Sequence, residues 1–262
     1  MGNGVEWSAY PHADSEEAEW GYLMTDEKLR RVFERLDYMK PRIVRIMDVA
    51  AWRYYKGVDA QGEPLLDFAC DEVRMVCRLL EYCQSRGITV LIGDYGVPGF
   101  WGYAGGIDRV DDPRYIDMTT RYLTYLKRER GFDCIRYYII TNEPNGDWAC
   151  TRGDWEQWKR GIALMHASFE RAGLDIGISA PDAVEMSENP ASQYPTGREW
   201  VEQTVAQMDS LVDQYNIHCY ADWAFIRDGS FQRHFEQVAR IIRPTGKKMI
   251  FGEIGGWYHS GE

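Results

Sequence analysis

The chain of 262 residues is 45% hydrophobic, 27% charged and 14% aromatic, too apolar for a disordered segment and without the short repeats of collagen, coiled coils or solenoids. Its formal charge of −11 lacks the basic footprint that phosphate backbones require; it argues against a nucleic-acid partner and against anionic membranes, and it suits a neutral substrate. No stretch approaches the roughly 20 consecutive apolar residues that cross a bilayer.

Apolar runs rich in Val, Ile and Tyr alternate with amphipathic segments along the whole sequence. A strand is predicted over 4–10, then a helix over 26–39 with Thr25 as its N-cap and Pro41 just past its end. Strand 42–48 follows, then helix 71–86 with Gly87 at its C-terminus, strand 88–94, helix 112–130 and strand 135–142. Helix 154–172, strand 176–181, helix 198–211, strand 212–218, helix 231–242 and strand 249–253 complete the series, with long Gly/Pro-rich loops at 97–106 and 187–197. Nearly continuous apolar strands separated by helices read as right-handed βαβ units around a parallel sheet buried on both faces. No glycine-rich phosphate loop sits on a strand-to-helix turn, so a closed (β/α)8 barrel is preferred to a nucleotide-binding doubly wound sheet. Seven strands are predicted, which leaves an eight-stranded barrel without its last βα unit. The expectation is a single barrel domain over 1–262, C-terminally incomplete.

Six cysteines without a CxxC pair read as reduced thiols rather than a disulfide framework. The five histidines lack ligand spacing and no cofactor motif is present, so neither metal nor cofactor is expected. Met1-Gly2-Asn3-Gly4 has no basic or apolar leader character.

In parallel α/β folds functional side chains gather at the C-terminal strand ends. Glu143 follows the run Tyr137–Asn142 and precedes Pro144-Asn145-Gly146; Glu253 follows Ile250-Phe251-Gly252 and precedes Ile254-Gly255-Gly256. Each stands where an apolar strand gives way to turn residues. Two carboxyls facing one another across a cleft suit glycosidic bond cleavage, in which one donates a proton to the leaving oxygen and the other attacks or stabilises the anomeric carbon. Separately, each Glu could equally cap a helix or form a surface ion pair.

Thr141-Asn142-Glu143-Pro144-Asn145 resembles the Asn-Glu-Pro signature of retaining glycoside hydrolases with (β/α)8 barrels, and Phe251-Gly252-Glu253 resembles their nucleophile strand. His218-Cys219-Tyr220 and Arg45 resemble further motifs of glycoside hydrolase family 5, the cellulase-like family, with family 39 as the second resemblance. Carried over, the resemblance implies Glu143 as acid/base and Glu253 as nucleophile, held ionised by Arg45 and Tyr220. Asn142 would donate to the sugar 2-hydroxyl, and His218 would orient the acid/base or bind a hydroxyl, unless it is a satisfied core histidine. It implies a neutral β-linked oligo- or polysaccharide substrate and a secreted or periplasmic protein. The sequence departs from family 5 at the third strand, where Gly93-Asp94-Tyr95-Gly96 stands in place of a histidine, and no eighth-strand tryptophan is found.

Sugar rings stack on indoles through their C–H faces. Trp257 and Trp223 are the leading candidates for substrate contact, Trp148 and Trp101 the next, and Trp155 and Trp158 fall on a helix as packing residues. The alternative to a hydrolase is a catalytically silent carbohydrate-binding barrel or an inactive fragment.

Overall fold

Local chemistry sets the helix ends. In the computed structural model, which describes residues 3–6 and 24–256, helix α1 (Asp26–Met39) starts where Thr25 Oγ1 accepts from the Lys28 N–H at 3.3 Å. Helix α4 (Trp155–Ala172) starts where Asp154 accepts from the Gln157 N–H at 2.9 Å, and α5 (Gly197–Met208) carries a reciprocal Thr196/Glu199 capping box. The other helices are α2 (Asp71–Ser85), α3 (Pro113–Thr124), α6 (Trp223–Arg227) and α7 (Ser230–Ile242).

Seven strands form one wholly parallel sheet: β1 (Gly4–Glu6), β2 (Ile43–Asp48), β5 (Thr89–Asp94), β6 (Ile135–Ile139), β7 (Gly177–Val184), β8 (Gln214–Ala221) and β9 (Lys248–Gly256), paired in that order. The sheet is curled. Five strand spacings separate β2 from β9, about 24 Å in a flat sheet at ~4.8 Å each, yet Arg45 on β2 touches Glu253 on β9 at 2.6 Å. The described residues thus hold a nearly closed barrel with seven of the eight strands of a (β/α)8 fold.

The core divides in two. Val44, Ile46, Val90, Ile92 and Tyr138 face outward into the large cluster beneath the helices, while Met47, Leu91 and Ile139 form a small interior plug with Ile43, Tyr137 and Ile250 beside it. Strand alternation explains the split: odd positions of β2 point into the barrel, even ones at the helix layer.

Several elements differ from the sequence expectation. The hairpin β3 (Tyr55–Val58) with β4 (Pro64–Leu66) was unforeseen; its turn is organised by Asp59, whose Oδ1 accepts from the Gln61 and Glu63 N–H groups. The helix expected over 112–130 is α3 followed by a π-helical turn at Tyr125–Glu129. Strand β6 stops at Ile139, so Glu143 lies four residues beyond it, whereas β9 continues past Glu253. Strand β7 runs on to Val184 and takes in Asp182. Of the strand expected over 4–10, residues 7–10 lie outside the described residues, as do Trp7 and Trp257. All six cysteines are free thiols, and Trp155 and Trp158 are buried on α4 as expected.

Gly93 marks where the interior is tightest. A Cβ there would lie 2.7 Å from Ile139 Cβ and 2.8 Å from Met47 Sδ. Gly93→Ala is expected to destabilise the fold by about 1–3 kcal/mol through overpacking, read as a lowered denaturation midpoint in urea with an unchanged slope.

Candidate active site

Arg45 is the third residue of β2 and points into the barrel, where it is only 3% exposed. A guanidinium there needs partners. Nη1 donates to Glu253 Oε1 at 2.6 Å and pairs with Glu6 Oε2 at 2.9 Å; Nη2 donates to Asn142 Oδ1 at 2.7 Å and Asp182 Oδ2 at 3.0 Å. Burial disfavours the charge, but Asp182, Glu6 and Glu253 hold its pKa above the ordinary value.

On β8, Asn216, His218 and Tyr220 share the inner face at the strand period of two. Tyr220 donates its hydroxyl to Glu253 Oε2, and burial together with that hydrogen bond raises the phenol pKa, so it stays a donor. His218 is fully buried, with Nδ1 at 2.9 Å from Glu143 Oε1 and Nε2 at 3.0 Å from Asp182 Oδ1. Burial lowers the imidazole pKa, but the Asp182 charge and the hydrogen bonds to Asp182 and Glu143 outweigh it and push the value up to about 9. Glycine is required at 252, beside Glu253, because a Cβ would meet Asn216 Oδ1 at 2.4 Å and His218 Nε2 at 2.9 Å.

Asp182 was missed in the sequence, and it ties the group together. It is fully buried in β7 at a left-handed φ of 61°, where the ladder to β8 shifts register. Burial raises its pKa, but the charges of Arg45 and His218 bring it below the ordinary carboxylate value. Without it, Arg45 Nη2 and His218 Nε2 would face each other at 3.3 Å as two cations. Asn216 donates to the same Asp182 oxygen as His218. Glu6 was missed too; it sits on β1 between Arg45 and the Tyr95 hydroxyl, which donates to it at 2.8 Å. Tyr95 thus reaches the site from the position where the family 5 pattern has a histidine. Its neighbour Asp94 points the other way, into the wall, and accepts from the Ala50 and Gly96 N–H groups.

Glu143 stands in the loop after β6 with a left-handed φ of 46°, uncommon for a residue with a side chain. Asn145 anchors that loop: its amide donates to Val184 O at 3.1 Å and accepts from the Val184 N–H at 3.0 Å. Carboxylate oxygens of Glu143 and Glu253 and a ring nitrogen of His218 lie within 4.8 Å of one another. Among the described residues this is the one His/Cys/Asp/Glu group close enough to share a metal ion.

The structure therefore brings together Arg45 from within β2, Asn142 and Glu143 from the loop after β6, His218 and Tyr220 from β8 and Glu253 from β9. The tryptophans divide. Trp148 donates its indole N–H to Glu143 Oε2 at 2.7 Å. Trp101 is half-buried against Trp52 and Phe100, with ring centroids at 4.9 and 5.1 Å, and has no contact with the acids among the described residues. Trp223 is exposed on α6 with the Arg227 guanidinium over its ring.

No family profile and no curated protein matches the chain. Solved structures match through the fold. A GH39 β-xylosidase from Caulobacter crescentus superposes with a TM-score of 0.60 at 14% identity, over 96% of this chain and 53% of that one. A family 51 α-L-arabinofuranosidase from Bifidobacterium longum gives 0.59 at 13% over 100% and 56%, and a hyperthermostable endocellulase 0.63 at 13% over 100% and 77%. The chain spans about half the length of the xylosidase. It shares the barrel fold of these glycoside hydrolases, in keeping with the resemblance carried by its motifs.

The folded-state pKa of His218 exceeds the ordinary 6.5, so the protonated ring stabilises the fold below pH 6.5 and that contribution is lost as pH rises through about 9. NMR is expected to show His218 titrating near 9 in the wild type and well below that in Asp182→Asn. That variant removes the charge that pairs both Arg45 and His218 and should lose about 3–5 kcal/mol of stability at neutral pH. A His218 titration unmoved by the substitution would remove Asp182 from the centre of the network.

Proposed function

We propose that this chain is a single catalytic barrel that cleaves neutral β-linked oligo- or polysaccharides with retention of configuration. The observation that carries this is the closeness of Glu143 and Glu253: one oxygen of each lies within 4.8 Å of the other, which favours the shorter of the two known geometries. Retaining enzymes set their carboxyls about 5–5.5 Å apart, whereas inverting enzymes leave roughly 6.5–9.5 Å for a water between them.

In the first step Glu253 attacks the anomeric carbon and forms a new C–O bond as the glycosidic C–O bond breaks. The departing oxygen keeps the bonding electron pair and takes a proton from Glu143. In the second, water attacks the same carbon and gives its proton to Glu143, the bond to Glu253 breaks, and the sugar leaves with its original configuration. Arg45 and Tyr220 direct one donor to each Glu253 oxygen, which orients the nucleophile. Asn142 is turned by Arg45, which donates to its Oδ1, so that its Nδ2 serves as the donor to the sugar 2-hydroxyl. His218 holds Glu143 from the buried side.

Glu143→Gln and Glu253→Gln, assayed separately on aryl β-xylosides and β-glucosides, are each expected to lower kcat at least about 100-fold. Activity in either variant above about a tenth of wild type would reject the assigned role. A 2-deoxy-2-fluoroglycoside is expected to label Glu253 covalently, identified by peptide mass. Saturable oligosaccharide binding with neither turnover nor labelling would instead make the protein a silent carbohydrate-binding barrel.

A further inference from the structure

Both oxygens of Glu143 accept hydrogen bonds, from donors of opposite character. Oε1 faces His218, which is fully buried. Oε2 accepts from Trp148, which is 49% exposed. Oε1 is engaged by the buried imidazole, whereas Oε2 lies on the side of the half-exposed Trp148, so Oε2 is assigned the proton that a glycosidic oxygen takes up. The indole N–H occupies that place.

The loop is shaped for this contact. Trp148 lies five residues after Glu143 and folds its ring over Gly146, where a Cβ would come within 2.3 Å of the indole. Any side chain at 146 would push the ring off the carboxylate. An indole N–H is a donor only and is best received by an ionised carboxylate, so the capped arrangement is not the one that donates a proton.

Resting on the hydrolase reading, we propose that Trp148 is a leaving-group gate: an aglycone sugar displaces its N–H from Glu143 Oε2 and then stacks on the indole face. The ligand class is the leaving sugar of a neutral oligosaccharide, whose C–H face matches a half-exposed indole. A leaving group without a ring gains nothing from the displaced tryptophan. The gate thereby couples use of the acid to the presence of a sugar-sized leaving group.

The test compares wild type, Trp148→Phe and Trp148→Ala on two substrate kinds, xylotriose or cellotriose against the matching β-glycosyl fluoride, which needs no aglycone sugar. The ratio of kcat/KM for oligosaccharide over fluoride is expected to fall at least about tenfold in Trp148→Ala, chiefly through KM. A ratio preserved within roughly twofold would overturn the gate, since the residue would then act on both leaving groups alike. Fluorine NMR of fluorotryptophan-labelled protein, with the Trp148 resonance assigned by its loss in Trp148→Phe, supplies a readout independent of turnover. Glu143→Ala is expected to shift that resonance in the free protein, and an unmoved resonance would show that the indole does not cap the carboxylate. A wild type inert toward both substrates would sink the hydrolase reading, and the Glu143→Ala comparison would still decide the capping contact.

Discussion

A buried carboxylate between two buried cations is the constraint from which the rest of the site follows. Asp182 gives one oxygen to Arg45 and the other to His218. Each cation by itself would be costly inside a barrel, and neither could be placed so close to the other without the acid between them. Once they are paired, their remaining donors reach the residues around the mouth. Arg45 turns Nη1 to Glu253 and Nη2 to Asn142, and His218 turns Nδ1 to Glu143. The two candidate catalytic acids are thus positioned by charges that are themselves locked from beneath, which is the support a preorganised site requires.

Curvature makes this convergence possible. Glu6, Arg45, Asp182, His218 and Glu253 come from five strands, and Tyr95 and Asn142 follow the remaining two. In a flat sheet these residues would be spread across many ångströms; in a barrel the inward positions meet over one axis. The interior is layered accordingly. Met47, Leu91 and Ile139 form the dry plug against which the polar ring is set, and the strand period of two keeps the outward residues committed to the helix layer. The plug matters electrostatically, because a low-dielectric floor strengthens every charge–charge contact above it.

How legible this was depends on the kind of signal each residue gives. Glu143, Glu253, His218, Tyr220 and Arg45 could be found because each sits in a short motif or is an ionisable residue where an apolar strand gives way to a turn. Asp182 sits two residues from the end of a strand that reads as finished at Pro181; the left-handed backbone at 182 and the register shift beside it let the strand continue. Glu6 falls in the middle of the strand expected over 4–10 rather than at its end, so it gives no strand-end signal. Asn216 is invisible for a different reason: among Asp213, Gln214 and His218 it is one polar residue of several, and nothing singles it out until its partner Asp182 is known. The hairpin Tyr55–Leu66 escaped because its turn rests on the Asp59 side chain rather than on an Asn-Gly or Asp-Gly pair. Helix extents followed from caps and periodicity closely at Asp26–Met39 and Asp71–Ser85, whereas the five-residue α6 (Trp223–Arg227) is too short to show a period and was not foreseen.

The charge balance of the ring bears on the chemistry proposed for it. Four acidic side chains, Glu6, Glu143, Asp182 and Glu253, are arranged around two basic ones, Arg45 and His218. Arg45 and His218 are drawn inward by Asp182, so the surface left toward the mouth is carboxylate-rich and carries the Tyr95 and Tyr220 hydroxyls. Such a surface repels an anionic sugar and accepts hydroxyl donors. It is also matched to a reaction whose transition state carries positive charge on the sugar ring, since a fixed negative potential gains most where charge develops rather than where it already rests. The cations have no part in that surface; their role is to keep the acids where the developing charge will be.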